Sequence, residues 1–179
     1  MINDEGWLKG AEIQKSPNFD YRPENTEVNL IVIHNISLPP GEYSDTNVIK
    51  LFTNTLDFKS HDYFKKINGL KVSSHFFIKR SGEIIQFVSV LDRAWHAGKS
   101  KHKGKINCND FSIGIELSGS DDCHYEEEQY KGLMYLINEL MKKFEGINLD
   151  NIVGHSEISP GRKTDPGPFF DWNRIKGNI

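Results

Sequence analysis

One short run of apolar residues limits the folds open to this chain more than any other feature. In the run "NLIVIH", Leu30 and Val32 point to one side of an extended strand, whereas Ile31 and Ile33 point to the other. A strand that is apolar on both faces is typical of a central strand that is covered on both sides. The run therefore predicts a sheet with a layer of structure on each face.

The other elements complete the prediction of the fold class. The strongest pattern is a helix over residues 126–144, which carries one apolar stripe at helical spacing and is followed by Gly146. Further strands are predicted over residues 75–88 (two strands around a Ser81-Gly82 turn), 111–119 and 151–155, and further helices from residue 44 and over 169–175. Strands and helices alternate along the chain. The pattern therefore predicts an α/β fold with a central mixed β-sheet flanked by helices.

The length of 179 residues predicts a single domain. Residues 1–28 are polar and irregular, and we expect them to pack on a domain formed by residues 29–179. Residues 99–110 are lysine-rich and predict a solvated loop, because the lysines lack the interleaved aromatic residues of a nucleic-acid surface.

Charge and composition exclude several classes of function. The formal net charge is −3, from 22 basic and 25 acidic residues, which argues against a nucleic-acid-binding protein. No apolar run approaches the roughly 20 residues that cross a bilayer, and the start "MINDEGWLKG" lacks the features of a secretory signal. Cys108 and Cys123 have no CxxC spacing and are expected to be ordinary thiols. We therefore expect a cytoplasmic monomer with no membrane partner.

Two of the seven histidines end strands that are predicted to be buried. His34 follows the run described above, and His155 ends "NIVGH". A buried imidazole needs partners for its ring nitrogens, and α/β folds build their sites at strand ends. Taken alone, either histidine could be a core residue whose ring nitrogens are hydrogen-bonded. Two such histidines, with an aspartate on a rigid loop after the second, favour a metal site.

That aspartate is Asp165, in "TDPGP". One interpretation is that it starts an Asp-Pro turn. The other is that its carboxylate is the third ligand of a His-His-Asp zinc site, with a fourth position left for water. The Pro-Gly-Pro sequence that follows restricts the backbone, which would lower the entropic cost of presenting the ligand.

Two further residues are candidates for chemistry beside that site. Glu116 lies on the strand face that also carries Ser112, Gly114 and Ser118, which is either a solvent face or the floor of a cavity. Lys163 lies two residues before Asp165 and is either a solvated loop residue or a cation beside an oxyanion.

Four motifs carry a family resemblance that extends from about Asn29 to Trp172. In chain order they are "VIHNISLPPG", "RAWHAG", "NDFSIGIELSG" and "GHSEISPGRKTDPGPFFDW". Together they resemble the AmpD family, the 1,6-anhydro-N-acetylmuramyl-L-alanine amidases of cell-wall recycling. That family belongs to the wider type-2 amidase and peptidoglycan-recognition fold.

The resemblance implies a zinc ion held by His34, His155 and Asp165, the positions that the strand ends and the rigid loop had indicated. It implies Glu116 as the acid and base and Lys163 as the group that faces the oxyanion. It also implies that Asn35, Lys71 and Trp95 contact the sugar and the stem peptide. The chain departs from the family pattern at Asn107, where the family carries a basic residue, and Lys71 lacks the bidentate fork of an arginine.

The function that follows is hydrolysis of the amide between 1,6-anhydro-N-acetylmuramic acid and L-alanine, with a small anhydro-muropeptide as the substrate. A muropeptide-binding module without activity is an alternative, but all three zinc-ligand candidates are present, which favours an enzyme. An amidase acting on intact peptidoglycan is a second alternative, and a zinc-dependent nuclease is a third that the charge disfavours.

Overall fold

The computed structural model describes residues 1–177 and has a six-stranded mixed sheet at its centre. The end of the domain predicted to reach residue 179 lies outside the described residues. The strands of the described part are β1 (Glu12–Ile13), β2 (Phe19–Asp20), β3 (Leu30–Ile36), β4 (Phe76–Ile78), β5 (Ile84–Gln86), β6 (Arg93–Ala94), β7 (Lys101–His102), β8 (Lys105–Ile106), β9 (Ser112–Ser118) and β10 (Ile152–Gly154). The α-helices there are α1 (Asp45–Phe52), α2 (Asp62–Lys66), α3 (Glu127–Lys143), α4 (His155–Ile158) and α5 (Trp172–Lys176).

The sheet has the order β1-β5-β4-β9-β3-β10. β3 pairs in parallel with β9 on one side and with β10 on the other, and β4 pairs in parallel with β9. β4 and β5 form an antiparallel hairpin. The prediction of a mixed sheet flanked by helices is confirmed, and the carboxyl ends of β3, β9 and β10 meet at one edge.

β3 is covered on both faces, as its apolar run predicts. Ile31 and Ile33 belong to the core cluster that α3 completes. Leu30 and Val32 belong to a smaller cluster on the opposite face, which includes Phe111. All four side chains are fully buried. The alternation of the strand therefore assigns His34 to the same face as Leu30 and Val32, opposite α3.

α3 covers one face of the sheet with its apolar stripe. Leu133, Leu136, Ile137 and Leu140 are fully buried against the inward residues of β3 and β9. The first turn of the helix is fixed by Gln129, whose Oε1 accepts from the Glu126 backbone N–H at 3.0 Å. The Nε2 of Gln129 donates to the Ser118 carbonyl at 2.9 Å, which fastens the start of the helix to the end of β9.

A second layer packs against the hairpin half of the sheet. Val48, Leu51 and Phe52 of α1 are buried in a cluster with Phe64 of α2 and Phe77 of β4. None of the helices within residues 1–177 combines the length and apolar character that a bilayer crossing requires.

The first 28 residues contribute β1, which extends the sheet beside β5, and β2, which pairs with β6. Arg22 is inserted between loops, where its Nη1 donates to the Asn109 and Asp110 carbonyls at 3.1 and 2.8 Å. Its Nη2 donates to the Ser112 carbonyl at 2.9 Å. Burial lowers the pKa of Arg22 to about 10. The N-terminal segment is therefore fastened to the beginning of β9.

Three local features differ from the sequence predictions. The lysine-rich segment 99–110, predicted as a loop, contains the β7–β8 hairpin and a 3₁₀ turn over Cys108–Asp110. α2 was not predicted, because its five residues are too few to show a helical period in the sequence. His155 begins α4 directly after β10, instead of ending the strand.

The packing of α3 predicts the effect of truncating its buried stripe. Ile137→Ala removes a fully buried side chain from the main core, and we expect a loss of about 2–5 kcal/mol in the free energy of unfolding. Denaturant-induced unfolding followed by circular dichroism measures it. Asn138→Ala, at the exposed neighbouring position, is the control and should leave the transition midpoint nearly unchanged. Equal effects of the two substitutions would contradict the packing described here.

Candidate metal centre and active site

The parallel pairing of β3 and β9 brings the first two candidate residues side by side. His34 is the register partner of Glu116, near the carboxyl ends of both strands. β10 ends at Gly154, one residue before His155, and Gly154 is the register partner of Ile33 in β3. Three neighbouring strands therefore deliver His34, Glu116 and His155 to the same edge of the sheet.

The loop after α4 brings Asp165 to that edge. The Asp165 carbonyl accepts from the Ser156 backbone N–H at 3.0 Å, and the Tyr125 hydroxyl donates to the Pro166 carbonyl at 2.7 Å. Gly167 has φ +78°, and a Cβ there would lie 2.5 Å from the Asp121 Cα. The loop therefore needs glycine at this position, and its backbone is fixed by hydrogen bonds at Asp165 and Pro166.

The side chains of His34, His155 and Asp165 form one tight cluster. The two Nδ1 atoms are 2.9 Å apart, and each lies 3.0 Å from the Asp165 Oδ2. His34 and His155 are almost completely buried, and the Asp165 side chain is 12% exposed. Within residues 1–177, these three residues are the group whose ligand atoms could hold one metal ion.

The charge states of this cluster suit a cation. Burial lowers the pKa of His34 to about 4, although its contact with Asp165 acts in the opposite direction. At neutral pH a neutral imidazole of His34 therefore lies beside the Asp165 carboxylate, which is the combination that a divalent cation requires.

The contacts of the His155 Nε2 determine which ring nitrogen of this histidine carries the proton and which has the lone pair. Its Nε2 lies 3.0 Å from the Ala97 carbonyl oxygen, which can only accept, and 3.2 Å from the Arg162 Nη2, whose two protons have three nearer oxygen acceptors at 2.7 to 2.9 Å. We therefore place the proton of His155 on Nε2. The Nδ1 of His155 then presents a lone pair to the Asp165 carboxylate. Such an arrangement is repulsive without a cation. Since tetrahedral zinc with bonds of about 2.0–2.1 Å separates its ligand atoms by roughly 3.3 Å, the cluster fits zinc after shifts of a few tenths of an ångström.

Glu116 lies beside the cluster with one oxygen unused. Its Oε2 is buried and has no hydrogen-bond partner among the residues that the structure describes. Burial, and then the charge of Asp165, raise the pKa of Glu116 well above its usual range, and the charge of Lys163 opposes this rise. An unpartnered buried carboxyl oxygen suits a group that exchanges protons with a substrate or a water molecule.

A cavity of about 920 Å³ opens beside the cluster, within the usual range for ligand sites. It is lined by every residue that the sequence singled out for the site, namely His34, Asn35, Lys71, Trp95, Glu116, His155, Lys163 and Asp165. Asn35 is oriented by Asp121, whose Oδ1 accepts from the Asn35 Nδ2 at 2.8 Å. Lys71 and Lys163 are exposed, and Trp95 is half-buried.

One wall of the cavity is apolar and was not predicted from the sequence. It is formed by residues of α1 and α2 and of the segment that follows α2, namely Leu51, Phe52, Tyr63, Ile67, Leu70 and Val72. Their role in the cavity depends on the docking of α1 and α2 on the sheet. No local pattern indicates it.

Three polar residues around the cluster were also missed. The His96 Nδ1 lies 2.9 Å from the His34 Nε2, and the Asn109 Oδ1 accepts from the Ala97 backbone N–H at 2.7 Å. Arg162 donates from Nη2 to the Ala97 carbonyl at 2.7 Å and to the Lys99 carbonyl at 2.9 Å. The sequence indicated two of them only by their position next to candidate residues, since His96 follows Trp95 and Arg162 precedes Lys163 in the motifs.

Comparisons with known proteins identify the family of this chain. Residues 24–168 match the family model Amidase_2, described as N-acetylmuramoyl-L-alanine amidase. The chain is 49% identical to the 1,6-anhydro-N-acetylmuramyl-L-alanine amidase AmpD of Citrobacter freundii, over 100% of this chain and 95% of that protein.

Solved structures give the same result. A crystal structure of a selenomethionine AmpD derivative superposes with a TM-score of 0.95 at 48% identity, covering 99% of this chain and 98% of that one. The amidase AmiD of E. coli, in complex with the substrate anhydro-N-acetylmuramic acid-L-Ala-D-gamma-Glu-L-Lys, superposes with a TM-score of 0.62 at 26% identity, covering 87% of this chain and 60% of that one. The resemblance drawn from the four sequence motifs is confirmed: the chain belongs to the AmpD family of 1,6-anhydro-N-acetylmuramyl-L-alanine amidases.

Proposed function

We propose that this chain is a zinc-dependent amidase that hydrolyses the bond between 1,6-anhydro-N-acetylmuramic acid and L-alanine in muropeptides. The observation that carries the proposal is the convergence of two imidazole nitrogens and one carboxylate oxygen, 2.9 to 3.0 Å from one another, at the wall of a cavity. The names of the full-length relatives support the substrate, and so does the muropeptide in the AmiD complex.

The zinc ion would be held by His34 Nδ1, His155 Nδ1 and Asp165 Oδ2. When bound, zinc supplies a Lewis acid for the amide carbonyl and lowers the pKa of water from about 15.7 to about 7. The protein's contribution is a donor set that is already assembled, since backbone hydrogen bonds hold the Asp165 loop and the Ala97 carbonyl orients His155. Preorganised ligands reduce the entropy that is lost when the ion binds.

Glu116 is the group to which we assign the proton transfers. Its free Oε2 takes a proton from the attacking water, and the same carboxyl then delivers that proton to the departing nitrogen of L-alanine as the C–N bond breaks. The parallel register supports this assignment, because it keeps Glu116 beside His34 without making it part of the ligand cluster.

Lys163 and the rim of the cavity would act on the substrate itself. The Lys163 ammonium is an exposed cation at the cavity, and we assign it to the negative charge that develops on the former carbonyl oxygen. Asn35 would contact the sugar or the first peptide unit with its carboxamide oxygen, since Asp121 accepts from its amino group. Trp95 offers an aromatic face, and Lys71 offers a positive charge to a peptide carboxylate.

The wider setting is part of the same proposal. The substrate is a small molecule, and we place the reaction in peptidoglycan recycling in the cytoplasm, catalysed by a monomer with no nucleic-acid or membrane partner. The amidase domain would comprise residues 29–179, with residues 1–28 packed on it.

The metal assignment predicts the result of removing its carboxylate. Asp165→Ala should lose bound zinc and activity together, because two imidazoles alone hold the ion too weakly. Elemental analysis of the purified protein beside a turnover assay measures both quantities. Asp150→Ala removes an exposed aspartate outside the cavity and is the control that should keep both. Full zinc content in Asp165→Ala would remove this residue from the ligand set.

The assignment of Glu116 predicts a different pattern. Glu116→Ala should retain zinc but lose roughly 10²–10⁴-fold in kcat, the usual contribution of a general acid and base. Glu145→Ala, at an exposed position outside the cavity, should match the wild type. If Glu116→Ala is purified without zinc, its role is in holding the metal and the proton-transfer assignment is wrong.

The substrate is tested by offering the zinc-loaded protein purified anhydro-muropeptide and intact sacculi in parallel, with products identified by mass. We expect free anhydro-sugar and peptide from the small substrate and little release from sacculi. Comparable release from sacculi would instead favour an amidase that acts on the intact wall. Binding of the muropeptide without cleavage would favour a recognition module.

A further inference from the structure

His96 is a half-buried neighbour of the metal cluster that lines the same cavity, and the proposed reaction assigns it no role. It lies in the segment after β6, and its ring stands nearly perpendicular to that of His34, with centroids 5.1 Å apart. Its Nδ1 is 2.9 Å from the His34 Nε2, the ring nitrogen that faces away from Asp165. His96 therefore contacts His34 from the side opposite the donor atom.

The hydrogen bonds of Ser112 determine which nitrogen of His96 carries its proton. The Ser112 Oγ lies 2.5 Å from the Cys108 carbonyl oxygen, which can only accept, so the single hydroxyl proton of Ser112 is committed to that bond. The Ser112 Oγ also lies 3.1 Å from the His96 Nε2 and must accept there. His96 consequently carries its proton on Nε2.

The same reasoning passes to the next ring. With its proton on Nε2, neutral His96 has a lone pair on Nδ1, and this atom accepts from the His34 Nε2–H. His34 then has no proton on Nδ1, which is the atom 3.0 Å from Asp165 Oδ2 and 2.9 Å from His155 Nδ1. A backbone carbonyl thus determines, through Ser112 and His96, which nitrogen of His34 is free for a metal.

We propose that His96 is a positioning residue, supported by Ser112, that holds His34 in the tautomer and orientation required for zinc binding through Nδ1. The inference rests on the proposed function, because it assigns the support of a ligand in that site. Second partners of metal-bound histidines generally fix ring orientation and tautomer, and their loss costs about 10- to 100-fold in metal affinity.

The surroundings of His96 are built for this contact. A Cβ on Gly114 would lie 2.4 Å from the His96 Cγ, so the ring lies directly against β9 where the strand has no side chain. The backbone N–H groups of His96 and Ala97 donate to the Asn109 Oδ1 at 3.2 and 2.7 Å. Ring and backbone are therefore held independently, which leaves the ring little freedom to turn away from His34.

Four variants separate positioning from packing. His96→Leu removes the acceptor for His34, and His96→Asn restores an amide oxygen close to the position of Nδ1. Ser112→Ala removes the acceptor that sets the tautomer of His96 without changing either ring. Ser118→Ala is the matched control, because Ser118 is equally buried on the same face of the same strand and is outside the ligand cavity.

Zinc affinity is measured for each variant by competition with a chromophoric chelator, with thermal unfolding as the check of folding. We expect the zinc Kd to rise about 10- to 100-fold in His96→Leu, to rise less in Ser112→Ala, and to return towards the wild-type value in His96→Asn. Ser118→Ala should bind zinc as the wild type does. If His96→Leu does not fold, the zinc affinity of Ser112→Ala compared with that of Ser118→Ala tests the inference, and equal affinities would contradict it.

Nitrogen-15 spectra of the imidazoles give a readout that loss of packing would not produce. In the metal-free wild type near neutral pH, we expect His34 and His96 both as Nε2–H tautomers, and in Ser112→Ala a mixture of tautomers for His96. His34 protonated on Nδ1 in the wild type, or wild-type zinc affinity in both His96→Leu and Ser112→Ala, would overturn the inference. A wild type that binds no zinc at all would instead refute the proposed function.

Discussion

The parallel pairing of β3 with β9 is the interaction on which the site depends. Seven register pairs run from Leu30 opposite Ser112 to Ile36 opposite Ser118, and they include the pair of His34 and Glu116. Both strands present isoleucine or leucine side chains to α3 on one face of the sheet. A shift of the pairing by one residue would turn these apolar side chains to the opposite face, away from α3. The hydrophobic packing beneath α3 thereby fixes the position of two polar residues on the opposite face.

The polar face would be costly to bury without a cation. Two histidines and an ionised aspartate lie within 3.0 Å of one another, largely out of contact with water, and burial disfavours charge on His34. The structure meets part of this cost with directed hydrogen bonds, from His155 to the Ala97 carbonyl and along the contacts between His34, His96 and Ser112. These bonds orient lone pairs into one small volume, where a divalent cation is the natural complement.

The sequence was sufficient for the parts of the site that depend on local pattern. The apolar runs located β3 and β10, and with them His34 and His155, although β3 continues two residues past His34 to Ile36 and His155 begins α4. The Asp-Pro-Gly-Pro turn indicated Asp165. The face with Ser112, Gly114 and Glu116 was interpreted as either a solvent face or a cavity floor. Glu116 does line the cavity, but Ser112 and Gly114 are small because they accommodate the ring of His96. That contact joins residues 16 positions apart in the sequence, and no periodicity encodes it.

The two halves of the site are held with very different rigidity. His34, His155 and Asp165 are buried and attached to strands or to a fixed loop, whereas Lys71 and Lys163 are exposed side chains at the rim. A lysine offers a flexible point charge without the bidentate geometry of a guanidinium, so it attracts a carboxylate without specifying its orientation. Under the proposed function, we therefore expect substitutions at the rim to change the preferred peptide without disturbing metal binding. We expect changes at His96 and Ser112 to act on the donor set instead, because His96 contacts His34 and Ser112 contacts His96.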